Sequence, residues 1–178
     1  MRFTEHPAAA LKGQYRDVLR AADGRIVEDR GWRSNAIVMD CRRMLASFMA
    51  GAPAAGIQGL LVGSGKASWD VGGPPAATPA QTELVDPHPF LVPASDLQID
   101  FLDNGNVSAT PTNRLQIVAT IGPGDPPWPD SDHVASSLRE FGLVGEIGGS
   151  PVLINYVTHP VINKDPTSSL ERTIWLVF

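Results

Sequence analysis

The sequence predicts a mainly β fold: an antiparallel β-sandwich or open barrel of about eight strands, with one amphipathic helix at about 35–50 and long Pro/Gly loops. Three observations lead there. Short runs of alternating or unbroken apolar character recur along the chain, turn-forming residues separate them, and only one stretch carries helical periodicity. Gly (17) and Pro (16) together supply near a fifth of the 178 residues, which implies many turns.

Residues 1–12 read as a flexible arm and 13–178 as a single sandwich domain. The segment 14–30 reads as a hairpin, with QYRDVLRA and RIVEDR on either side of Ala22-Asp23-Gly24, because a tight turn with positive φ favours Asp-Gly. Trp32 follows as an expected core residue. Asn35–Ala50 is the expected helix. Ile37, Val38, Cys41, Met44, Leu45, Phe48 and Met49 recur at spacings of three and four, so they share one stripe. Ser34 is its expected N-cap and Gly51 its stop. Ile57–Gly63 reads as a strand that runs into a Pro/Gly/Ala loop over 64–81, and Thr82–Val92 as a short, proline-interrupted strand. Leu97–Leu102 alternates, Asn104-Gly105 turns the chain, and Arg114–Ile121 alternates again. A second exposed loop spans 122–132. Ser137–Glu146, Pro151–Val157 and Arg172–Phe178 complete the strands, with Trp175 in the expected core.

Charge and composition narrow the function classes. The net charge is −5 and the basic residues are scattered, so no nucleic-acid footprint is expected. No apolar run suits a bilayer span and the N-terminal residues lack an apolar signal core, so a soluble chain without a membrane partner is expected. Cys41 is the only cysteine. It excludes an intrachain disulfide, and on the apolar face of the helix it reads as a buried structural thiol.

The chemical motifs are weak. Gly63-Ser64-Gly65-Lys66 resembles part of a phosphate loop. However, Gly59 is one residue too far away, Ala67 stands where a hydroxyl is needed, and SWDVGGPP cannot continue as a helix. The histidines His6, His88, His133 and His159 form no metal-ligand spacing. Asp130, Asp132 and His133 fall close together, but without the ligand count of a calcium loop. Asp70, Glu83, Asp100, Glu140 and Glu171 stand as lone acids, so no catalytic residue, metal ligand or cofactor site is assigned. The stronger candidates are interface residues: Trp69 and Trp128 in the two long loops, with Asp70, Pro74, Pro75 and Pro127 beside them. Each tryptophan reads equally well as a cap folded back over the end of the sandwich.

The order of segments carries a family resemblance over roughly residues 30–178. Asn35–Val38 opens the helix, LLVGSG (Leu60–Gly65) follows, then Thr82-Glu83-Leu84, Arg139-Glu140-Phe141-Gly142-Leu143, and finally PVLINYVTHPVINKDPTSSLERTIWLVF. This resembles small structural proteins of tailed bacteriophages, often labelled tail, fibre or collar proteins, with related parts in phage-like contractile injection particles. VGSG in place of VGTG and a longer loop at 122–136 are departures from that pattern. The resemblance implies a non-enzymatic virion subunit of a tail, neck/collar or baseplate, assembled in the bacterial host cytoplasm. Its partners would be copies of itself in a ring, trimer or higher oligomer, together with other tail, neck or baseplate proteins. Two rival readings remain open at this point: a receptor- or glycan-binding module of a tail fibre, and a small hydrolase with a scattered site.

Overall fold

The computed structural model describes residues 11–178. It is mainly β, with antiparallel pairing throughout and, among the described residues, one α-helix. The strands are β1 (Lys12–Arg20), β2 (Ile26–Ile37), β3 (Ala54–Gly63), β4 (Phe90–Pro93), β5 (Leu97–Asp103) and β6 (Asn106–Ser108). They continue with β7 (Arg114–Ile121), β8 (Ser137–Ile147), β9 (Ser150–Leu153), β10 (Asn155–Asn163) and β11 (Ser169–Val177). The helix α1 covers Met39–Met49. The sheet path runs β4-β3-β8-β10-β2-β1-β11-β7-β5-β6, with β9 paired to β8.

The path folds back on itself. Leu60, Val62, Phe141 and Leu143 from β3 and β8 share one core with Tyr15, Ile117, Ile174 and Leu176 from β1, β7 and β11. Tyr15 meets Phe141 edge-on across the two layers, with ring centroids 5.1 Å apart. β2 joins the layers: it pairs with β1 along most of its length, and with β10 through Ala36 and Ile37. Arg30 of β2 donates to the Val161 carbonyl of β10 at 2.7 Å and so bridges the two strands near their divergence. The sheet's two ends, β4 and β6, are only four and three residues long, and β4 ends on a proline; short edges with proline resist adding further strands.

The hairpin turns follow residue chemistry. Asn104 and Gly105 take φ of 49° and 82°, the left-handed pair that a two-residue hairpin requires. The helix packs on β3, β8 and β9 by burying Cys41 and Met44. Met44 lies so close to Gly145 of β8 that a Cβ there would come within 2.5 Å of its sulfur, so glycine sets the depth of the helix. Burial pushes the Cys41 thiol up to about 11, as suits an inert core residue.

Several expectations need correction. Among the described residues the sheet has eleven strands, because the chain around Pro87 and Pro89 gives way to β4 and because β6 and β9 are too short to read from alternation. The helix begins at Met39 instead of Asn35. Residues 35–37 extend β2, where Asn35 pairs with Gly13 and Ile37 with Asn155, so Ser34 is a strand residue and Val38 occupies the N-cap without a side-chain bond. Gly51 does stop the helix, with φ of 66°. The expected arm over 1–12 lies outside the described residues up to position 10, and Lys12 is already in β1.

Trp32 and Trp175 are not core residues. Arg30 and Gly31, the latter at φ 64°, together oppose Asp17, and this bulge turns Trp32 to the outer face alongside Asp29. Trp32 is 40% exposed and half-buried Trp175 packs against it, centroid to centroid 4.3 Å.

Candidate functional site

The two long loops leave the sheet at one place. The first follows Gly63 at the end of β3, and the second leads into Ser137 at the start of β8; β3 and β8 are partners there, with Gly63 opposite Glu140. β8 is buried on both faces from Ser137 to Val144, yet it carries Arg139 and Glu140. Charges buried in such a strand need partners, and the loops supply them.

Glu140 is fully buried and accepts three hydrogen bonds. The Asp86 and Val85 main-chain N–H groups donate at 2.7 and 3.0 Å, and the Tyr156 hydroxyl at 2.6 Å. Burial first, and then this bond to a carboxylate, push the Tyr156 phenol above its ordinary range. Arg139 forks onto Asp70 with bonds of 2.8 and 2.7 Å, and its third nitrogen donates to the Ser64 carbonyl at 2.9 Å. That hydrogen-bonded fork holds the Asp70 carboxyl below the usual range.

The second loop is tied to the first through His133. Its Nδ1 lies 2.8 Å from Asp130 and its Nε2 3.1 Å from Asp86, while the ring stacks on Trp128 at 3.8 Å. Asp86 also accepts from the Ser64 and His88 main-chain N–H groups at 2.7 and 2.9 Å. Burial works to raise the Asp86 pKa, but these bonds outweigh it and the carboxyl titrates below its usual range. Both nitrogens of His133 therefore meet carboxylates, and no serine hydroxyl shares the imidazole. Among the described residues no group of His, Cys, Asp and Glu is gathered as a metal site.

The six interface candidates separate. Trp69 is buried in a 3-10 turn (Ala67–Asp70) and covers Gly65, where an added Cβ would meet its ring at 2.5 Å. The Gly63–Lys66 segment is thus a glycine turn under an indole, with a 3-10 turn and no α-helix after it. Trp128 is buried in the core. Both tryptophans act as caps, and Asp70 is the partner of Arg139. Pro74 is half-buried, and Pro75 and Pro127 are exposed; the Pro75 carbonyl accepts from Thr158 at 2.7 Å. What the loops turn outward is Val134, fully exposed, and Val71, 86% exposed.

Sequence reasoning missed Arg139, Asp86 and Tyr156, and took Glu140 for a lone acid. A signal existed: two charged residues stand at the head of FGLV in a strand with no polar face.

A second buried group lies in the core. Asp17 and Arg172 are cross-strand partners on β1 and β11, joined by bonds of 2.7 and 2.8 Å. Arg172 lies 3.7 Å over the Phe141 ring and 3.2 Å from Nε2 of His159. His159 Nδ1 faces the Pro160 carbonyl at 2.8 Å, which fixes the proton there and leaves Nε2 to accept from Arg172. Burial first, then the neighbouring guanidinium, lower His159 to about 3, so it is neutral. Compared with family models, curated proteins and solved structures, the chain matches none.

Proposed function

We propose that this chain is a structural subunit of a bacteriophage tail, neck/collar or baseplate, or of a phage-derived contractile particle. It acts in the virion by homo-oligomeric assembly and by docking other virion proteins, and it is not an enzyme. One observation carries the reading. Two long proline-rich loops are fastened to β8 by Arg139, Glu140, Asp86 and His133, while Val71 and Val134 are left outward. A loop held in place before binding loses little entropy on docking, and the exposed valines and prolines of the two loops give a neighbour dry surface to cover.

At the two ends of the sheet path β4 and β6 offer few free main-chain groups for strand addition; the longer open edge is that of β2, whose residues from Ile26 to Asn35 pair only with β1 among the described residues. The reading also accounts for the burial of Trp69 and Trp128, whose rings hold the loops in shape and offer no platform to a sugar.

Light scattering with negative-stain imaging tests the proposal. The full chain is expected as a ring or trimer-like oligomer. Val71→Asp with Val134→Asp should shift it toward monomer without changing its thermal unfolding, because neither valine joins the clamp. A monomeric full chain, or an oligomer indifferent to the double substitution, would sink the reading.

A further inference from the structure

The outer face of the β5-β7-β11-β1-β2 layer carries a row of side chains in register that the loop reading leaves unused. Asp100 lies opposite Gln116, Gln116 opposite Trp175, Trp175 opposite Gln14, and Gln14 opposite Ser34. Trp32, one row further on, leans against Trp175 with 42° between the ring planes. The Trp175 indole N–H donates to Gln116 at 3.0 Å, which fixes the ring. Gln14 and Ser34 are exposed and, among the described residues, their side chains make no hydrogen bond. Five strands at the usual spacing make this row about 19 Å wide.

We propose that this face binds an oligosaccharide. A pyranose presents an apolar C–H face and a rim of hydroxyls. The face pairs one aromatic platform with amide, hydroxyl and carboxylate groups on both sides, the mix that stacks on one surface of such a ring and bonds its edge.

Other partners fit less well. A nucleic acid needs a track of unpaired cations, whereas this face offers Lys12 and Arg114 in the row beside Gln14 and Gln116, Arg16 next to Trp32 is taken by Asp29, and the chain is net negative. A protein interface wants a broad dry centre, whereas here the indole pair, with half-buried Val118 and Val177 at its margins, is interrupted by Gln14, Arg16, Gln116 and Thr173. The proposal is independent of the assembly reading, since Val71 and Val134 lie on the loops and not on this face.

The test uses the full chain. A microarray of lipopolysaccharide and capsular oligosaccharides is screened first, with chitohexaose and cellohexaose as soluble probes in calorimetric titration. Binding to at least one probe is expected, weakened about tenfold or more by Trp32→Ala and measurably by Gln14→Ala, which corresponds to ~1.4 kcal/mol for the tryptophan. Circular dichroism confirms that both variants, changed at exposed positions, keep the fold. Absence of binding to every probe overturns the proposal. So does binding that ignores both substitutions, or a Trp32→Ala variant whose only change is its native mass, which would assign the face to a second copy of the chain.

Discussion

Arg172 and Arg139 each fork onto an aspartate, yet one fork is sealed inside the sheet and the other stands at its rim. Arg172 and Asp17 have no exposed side-chain surface and join two strands in register. Arg139 is nearly buried, but its partner Asp70 keeps about a third of its side chain in water and belongs to a loop. The contrast separates two uses of one chemistry. Inside, a charge that cannot reach water makes one pairing of β1 with β11 acceptable and penalises others. At the rim, partly solvated charge fastens long loops to a sheet that is complete without them. The inner group should therefore govern whether the chain folds, and the outer group which shape its loops hold.

The sharpest way to break that contrast is Asp17→Ala. It strands a buried guanidinium, at a cost of about 3–5 kcal/mol, a large share of a typical domain's stability. Urea unfolding should show the loss directly. The double variant Asp17→Leu with Arg172→Met should recover most of it, since apolar replacement of a buried pair is often tolerated. If the double variant is as unstable as the single, the pair does more than satisfy its own charges.

Acid comes next. His159 titrates near 3 in the folded chain, against 6.5 ordinarily. As pH falls below 6.5 the unfolded chain takes up the proton and the native one does not, so stability present above 6.5 is lost progressively down to about 3. Asp17 adds to this only at lower pH. Burial opposes its ionisation, Arg172 outweighs burial, and the lowered pKa is felt once the unfolded carboxyl begins to protonate near 3.8. At pH 4.5 the histidine contributes a loss of roughly 2–3 kcal/mol. Thermal unfolding between pH 7 and 4.5 should show this slope, and His159→Gln should flatten it. An unchanged slope in that variant would place the acid sensitivity elsewhere.

Glu140→Ala comes last because two of its three donors, the Val85 and Asp86 N–H groups, lie on a loop that can turn them to water; the Tyr156 hydroxyl left unpaired costs about 1–3 kcal/mol. Its readout is local. Hydrogen exchange should quicken at 82–88, which Glu140 holds, while β1 and β11 stay protected. Equal loosening in both regions would erase the distinction between loop clamp and core pair.

Much of this architecture was legible in residues. Leu97–Leu102 and Arg114–Ile121 alternate because each has a core face, and Asn104-Gly105 announces its own turn. The failures have specific causes. Asn35–Val38 fits a helical stripe, but pairing with Gly13 and Asn155 across two neighbouring strands overrode it. The strand expected at Pro151–Val157 is two, and β10 runs on through Pro160 to Asn163, since the irregularity in its pairing with β8 between Thr158 and Ile162 falls where proline lacks its N–H. Trp32 was misplaced by one bulge. Arg172 shares the parity of Leu170, Ile174 and Leu176, which flags a buried charge, but its partner lies at the other end of the described chain and only topology brings Asp17 to it. The clamp was hidden for the same reason: its donors and acceptors lie in segments that alternation does not describe.

That separation has a kinetic side. Asp17 and Arg172 are 155 positions apart, and β11 sits between β1 and β7 in the middle of its layer. The β1–β2 hairpin closes locally, but its inner edge waits for a strand from the far end of the fold. Such non-local closure places folding on the order of milliseconds to seconds. Throughout that wait β1 shows an unpaired edge with Tyr15 and Leu19 uncovered, a surface on which unfinished copies would stick to one another. Stopped-flow refolding followed by tryptophan fluorescence, with Trp175 riding on β11, would time the arrival; a submillisecond signal change would mean that β11 docks before the rest of its layer.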